Sequence, residues 1–124
     1  MIYTPLKKIL IIDDDEDILN LVETILKSNS YIVFTHPNGL NITEVVERYK
    51  PDLILMDVQL QGLYGNHICK ELKKTINTPI ILFSTNSKMK TTFHQCDAEA
   101  FIDKPFKVRN LLKIISEQFF IAAA

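Results

Sequence analysis

Three consecutive aspartates, Asp13, Asp14 and Asp15, follow the apolar block Ile9-Leu10-Ile11-Ile12, and Asp57 closes a second block, Leu53-Ile54-Leu55-Met56. A third block, Ile80-Ile81-Leu82-Phe83, runs into Ser84-Thr85, while Phe101-Ile102 runs through Asp103 into Lys104-Pro105. Taken singly, these residues have plain readings: a solvated helix start, a turn residue, a loop hydroxyl, a surface charge. Their shared position, each beyond an apolar run, is what suggests chemistry. If Asp13, Asp14 and Asp57 converge, each close pair repels by roughly 4 kcal/mol at an effective dielectric near 20 and about 4 Å separation. A hard divalent cation would neutralise such a cluster, and Mg²⁺ characteristically takes a few carboxylates, keeps several waters and leaves positions for phosphate oxygens. With Lys104 as a further positive charge and Ser84 as a hydroxyl donor, the set is suited to stabilising a phosphoryl group in transfer. A carboxylate would then be the nucleophile, forming an acyl phosphate.

Convergence requires a fold that gathers strand ends. Five short apolar runs alternate with five segments of helical character, in the order strand then helix throughout, and no repeat or low-complexity linker interrupts them. The first run is uninterrupted, as in a parallel strand covered on both faces. Ile18, Leu21, Val22, Ile25 and Leu26 then form one apolar helical stripe, preceded by acidic residues that suit a helix N-terminus. Tyr31 to Thr35 reads as strand two, and Asn41 and Glu44 have capping-box spacing for helix two. Strand three is Leu53 to Met56, helix three carries Ile68, Cys69, Leu72 and Ile76 inward, and strand four is Ile80 to Phe83. A short polar helix four is expected near Ser87, strand five around Phe101-Ile102, and helix five on Val108, Leu111, Leu112 and Ile115. Alternation of this kind builds a parallel sheet with helices on both faces through right-handed crossovers. In such sheets ligands bind beyond the carboxyl ends of the strands, where the aspartates, Ser84 and Lys104 stand.

Composition narrows the function classes. The 124 residues are 47% hydrophobic and 23% charged, which fits one globular domain spanning residues 1–124. Fourteen basic against fifteen acidic residues leave a net charge of −1, so nothing draws the domain to nucleic acid or an anionic membrane. The apolar runs are far shorter than a membrane span, and Met1 to Lys8 does not read as a signal peptide. Cys69 and Cys96 are expected as reduced, small core residues of a cytoplasmic protein, because their spacing resembles neither a redox pair nor a zinc site. His36, His67 and His94 lack metal-pair spacing and read as surface residues.

Ile11-Ile12-Asp13-Asp14, Pro51 to Asp57, Pro79 to Ser84 and Phe101 to Phe106 together resemble a response-regulator receiver domain over nearly the full chain. The resemblance implies a flavodoxin-like doubly wound sheet of five parallel strands in the order 2-1-3-4-5. It implies Asp57 as phosphoacceptor, and Mg²⁺ held by Asp13, Asp14, Asp57 and the Gln59 backbone carbonyl, with Asp14 favoured over Asp13 as the direct ligand. Ser84 and Lys104 would grip the phosphoryl oxygens, Ser84 and Phe101 would form the switch, and Lys104-Pro105 would be cis. The implied protein is not an enzyme on other substrates. It is a phosphorylation-activated switch of a two-component system that promotes only its own phosphorylation and dephosphorylation. Its implied partners are a histidine kinase or histidine phosphotransfer protein and an output partner on the helix 4, strand 5, helix 5 face.

Several residues depart from the family's usual pattern: Gln61 for proline, Tyr64 for an acidic residue, Thr85 for a small one and Asp97 for glycine. The stretch from Ser84 to Lys104 is also slightly short. Two other classes compete. In a haloacid-dehalogenase-like phosphohydrolase, Asp13 would be the nucleophile and Asp15 the acid, leaving Asp57 idle. In a phosphorylation-independent binding module, the receiver scaffold would persist without the chemistry.

Overall fold

The computed structural model describes residues 5–60, 62–85 and 96–123. In chain order the elements are β1 (Lys8–Ile12), α1 (Glu16–Ser28), β2 (Ile32–His36), α2 (Ile42–Tyr49) and β3 (Leu53–Asp57). Then follow β4 (Gln59–Leu60), β5 (Leu63–Tyr64), α3 (Gly65–Leu72), β6 (Ile80–Ser84), β7 (Ala100–Asp103) and α4 (Val108–Ala123). The expected helix near Ser87, together with His94 and Gln61, lies outside the described residues.

The main sheet has five parallel strands in the order β2-β1-β3-β6-β7. With the small β4–β5 ladder set aside, this is the expected 2-1-3-4-5 arrangement. Alternation along the strands divides the core. Leu10, Ile12, Ile54, Met56, Ile80 and Leu82 face α2 and α3, whereas Ile9, Ile11, Leu53, Leu55, Ile81 and Phe83 face α1 and α4. All twelve are essentially inaccessible to solvent, so the central strands are covered on both sides, as their uninterrupted apolar runs require.

Local details differ from expectation. In α1 the buried residues are Leu19, Val22 and Leu26, with Ile18 and Ile25 at the margins, while Leu21 is 51% exposed. At 3.6 residues per turn Leu21 points roughly 130° from the centre of that stripe. Val108 leaves its expected place and is exposed, whereas Ile76 packs inward on the core as expected but from beyond the end of α3. The capping box at Asn41 does not form. Asn41 takes left-handed backbone angles (φ 58°, ψ 29°) and its side chain caps nothing, because the box needs an extended N-cap residue. Asp15 does cap α1, at φ −92° and ψ 109°, accepting hydrogen bonds from the Asp17 and Ile18 N–H groups.

The antiparallel β4–β5 pair, with Gln59 opposite Tyr64 and Leu60 opposite Leu63, was not expected. Gly62, at φ +85°, permits its turn. The hairpin returns the chain beneath the end of β3, where the Gly65 N–H donates to the Val58 carbonyl at 2.6 Å. A methyl group on Gly65 would sit 2.2 Å from the Asp57 carbonyl oxygen. That contact is with backbone and cannot be relieved by a side-chain rotation. Gly65→Ala should therefore cost about 1–3 kcal/mol of stability, read from the denaturant midpoint. A midpoint equal to wild type would show that α3 does not fix the Asp57 backbone.

Candidate functional site

Parallel pairing brings the ends of β1, β3, β6 and β7 to one edge. Asp13 follows β1, Asp57 and Ser84 end β3 and β6, and Lys104 follows β7. Lys104 crosses that edge. Its Nζ donates to Asp13 Oδ2 at 2.6 Å and to Asp57 Oδ2 at 3.1 Å, and it lies 4.2 Å from the centre of the Phe83 ring. Its backbone N–H donates to the Ser84 carbonyl at 2.8 Å, and the Lys104–Pro105 peptide bond is cis. Phe83 was anticipated only as a strand residue; the ring face under the ammonium adds a cation–π attraction.

Asp13 is fully buried, while Asp57 retains 8% exposure. Their free oxygens are held from the backbone: the Asp15 N–H donates to Asp13 Oδ1 at 2.8 Å, and the Gln59 N–H to Asp57 Oδ1 at 3.0 Å. Asp13, Asp14 and Asp57 each present a carboxylate oxygen within 4.8 Å of the others. Three carboxylates face one ammonium, so full ionisation leaves two negative charges unbalanced. That deficit, on hard oxygen donors, matches a divalent cation such as Mg²⁺.

Ser84 is buried on the other side of the edge. It lies two residues beyond Leu82, and Phe101 is paired with Leu82 across β6 and β7. Ser84 and Phe101 therefore share a sheet face, with Phe101 packed against the core beneath α2 and α3. Gln59 and Thr85 are exposed at the rim. Asp97 has φ +63°, the conformation that makes glycine the easy choice at such a turn. Asp15, the acid of the phosphohydrolase alternative, is exposed and occupied in capping α1. Of the histidines, His36 is half-buried with Nε2 2.7 Å from the Leu40 carbonyl, and His67 is exposed beside Tyr64.

The response regulator receiver domain profile matches residues 9–116. The chain belongs to this family. Among curated relatives, the receiver is 35% identical over 107 residues to the nisin biosynthesis regulatory protein NisR of Lactococcus lactis, covering 85% of this chain and 47% of that protein. It thus spans about half the length of that relative. The receiver domain of the Klebsiella pneumoniae protein RstA, solved in a BeF3-activated form, superposes with a TM-score of 0.83 at 30% identity, covering 88% of this chain and 95% of that one. The receiver domain of the Pseudomonas aeruginosa sensor histidine kinase PA1611, whose structure has a magnesium ion coordinated in the active site cleft, gives 0.82 at 27% identity, covering 91% and 97%. The protein is thus a receiver domain of the two-component response-regulator class, and among its described residues no helix is long and apolar enough to cross a membrane.

Electrostatics in the receiver's cluster are set by burial. Loss of water pushes the Asp13 carboxyl up from 3.8 to about 6; the Lys104 hydrogen bond and charge and the Asp15 N–H oppose the rise, and the Asp57 charge adds to it. Because the folded-state pKa is raised, the stability that Asp13 contributes is present below pH 3.8 and lost as pH rises through about 6. By linkage the ionised form costs about 3 kcal/mol without a cation. Asp13→Asn should therefore gain about 2 kcal/mol relative to wild type between pH 4 and pH 7 in metal-free buffer, since part of the loss has already occurred by pH 4. Urea unfolding at both pH values measures this, and parallel pH dependence in the two proteins would contradict it.

Proposed function

We propose that this receiver is a phosphorylation-activated switch in which Asp57 accepts a phosphoryl group from a histidine kinase or histidine phosphotransfer protein. The observation that carries this reading is the Lys104 ammonium bridging Asp13 and Asp57, with Asp14 completing a carboxylate cluster too negative for one lysine. Mg²⁺ would be held by Asp13, Asp14, Asp57 and the Gln59 carbonyl, and when bound it supplies charge neutralisation for an incoming phosphoryl group. An Asp57 carboxylate oxygen forms the new bond to phosphorus as the bond to the donor's histidine nitrogen breaks. Lys104 and the Ser84 hydroxyl donate to the phosphoryl oxygens, offsetting the charge that Asp57 no longer presents to Lys104. The domain thereby promotes its own phosphorylation and dephosphorylation and acts on no other substrate.

Acetyl phosphate should add one phosphoryl group to the protein only when Mg²⁺ is present, and Asp57→Asn should abolish the addition. Intact-mass measurement tests both. Equal incorporation in Asp57→Asn would remove Asp57 from the role, and transfer to Asp13 would restore the phosphohydrolase reading. Failure of the wild type to take up phosphate or bind Mg²⁺ would favour the phosphorylation-independent module.

Ser84 and Phe101 are proposed as one switch, because a hydroxyl drawn toward the phosphoryl group vacates space on the face that the Phe101 ring occupies. The change would be read by an output partner on the surface around β7 and α4. The effect of the phosphate mimic beryllofluoride on partner affinity should fall in Ser84→Ala and in Phe101→Ala. Their double mutant should depart from additivity by about 1 kcal/mol. Strict additivity would mean two independent elements.

A further inference from the structure

Two thiols 27 positions apart in the chain meet inside the core. Cys69 projects from α3, Cys96 comes from the turn before β7, and both belong to the cluster packed between the sheet and α2 and α3. Neither is in a disulfide, and their exposures are 0% and 2%. Cys69 Sγ donates to the Cys96 carbonyl oxygen at 3.4 Å, which brings the two residues side by side. Burial as small core residues matches the sequence reading; the approach of Cys69 to Cys96 does not follow from it. Packing alone needs only small apolar volume at these positions, whereas two cysteines in contact also offer a covalent bond.

The two thiols are inequivalent. The hydrogen bond it donates, together with burial, raises Cys69 far above the usual thiol range. The same bond, aided by backbone donors at Ala98 and Cys96, lowers Cys96 to about 7 against the opposing effect of burial. Cys96 also sits on a strained turn, since the next residue, Asp97, is held at φ +63°. Short turns of this kind open locally at a smaller cost than the paired strands of a sheet, which gives an oxidant access that the closed structure denies.

We propose that Cys69 and Cys96 are a peroxide-sensitive dithiol that closes to a reversible disulfide, joining α3 to the segment that enters β7. The Cys96 thiolate attacks one oxygen of hydrogen peroxide, the O–O bond breaks, and the departing hydroxide takes up a proton as water, leaving a sulfenic acid. The Cys69 sulfur then attacks the Cys96 sulfur, the S–O bond breaks, and the hydroxide released leaves as water with the Cys69 proton. One peroxide is reduced by two electrons, the thiol pair is oxidised by two, and two waters are produced. Ala98 and Phe101 pack on the same cluster as the two cysteines, so the bond tethers the backbone leading into the proposed switch residue. The dithiol chemistry does not depend on whether Asp57 carries phosphate.

The test treats the folded, reduced full chain with hydrogen peroxide near equimolar ratio, followed by alkylation, intact mass and peptide mapping. Wild type should lose about two mass units, yield a peptide joining Cys69 to Cys96, lose alkylation at both residues and recover on treatment with dithiothreitol. Far-ultraviolet circular dichroism should stay unchanged, and backbone hydrogen exchange over residues 98–101 should slow in the oxidised protein. Cys69→Ala should leave a sulfenic acid on Cys96 that dimedone traps, whereas in Cys96→Ala oxidation of Cys69 should be at least about tenfold slower. The proposal is overturned by stable oxygen addition to wild-type Cys96, by a disulfide between two chains, by full alkylation of both thiols after peroxide, or by closure only in denaturant.

Discussion

A single ammonium group holds the carboxyl edge of this sheet together. Lys104 reaches Asp13 at 2.6 Å and Asp57 at 3.1 Å, tying the end of β1 to the end of β3 from a strand at the far side. Two carboxylates this close, one of them wholly buried, would repel strongly without it. The Phe83 ring beneath the ammonium and the backbone N–H groups on the remaining carboxylate oxygens fix the geometry. One positive charge among three carboxylates is nonetheless too little, and burial, with a smaller push from the Asp57 charge, raises the Asp13 carboxyl against the opposing pull of Lys104. The site is therefore held in shape while remaining short of cationic charge, the condition under which binding a cation and accepting an anionic phosphoryl group become coupled.

Much of this was legible from local pattern. Parallel strands buried on both faces must be written as unbroken apolar runs, so Ile9 to Ile12, Leu53 to Met56 and Ile80 to Phe83 announced themselves, and the polar residue after each run marked the edge where Asp13, Asp57 and Ser84 stand. Right-handed crossovers then left few ways to order the strands. Information was lost where an element is too short to show a period or where a contact is remote in sequence. The two-residue strands β4 and β5 have no periodicity to read. Leu21 was assigned to the buried stripe because apolar spacing alone cannot tell a core face from a rotation of the same helix by one position. The left-handed backbone of Asn41 and the meeting of Cys69 with Cys96 are set by tertiary packing. Gly65 carried a weak signal, glycine at the start of a helix, whose reason appears only when the Asp57 carbonyl is seen against it.

The proposed function would divide chemistry from readout by the thickness of the sheet. Phe83, under the Lys104 ammonium, belongs to the core beneath α1 and α4, and Asp57 continues the alternation of Leu53 and Leu55 on that side. Ser84 follows Leu82 on the opposite side, where Phe101 packs beneath α2 and α3. Adjacent residues of one strand, Phe83 and Ser84, thus face different cores. In the proposed switch, a phosphoryl charge on Asp57 would meet Lys104 on the first face and the Ser84 hydroxyl at the rim of the second. Because both cores are close-packed, a small displacement at the rim cannot be absorbed by empty space. It must be taken up by a side chain that is only partly buried, and on that face Phe101 meets the condition. Under that proposal, the ring's incomplete burial would let an electrostatic event at Asp57 become a change of surface shape.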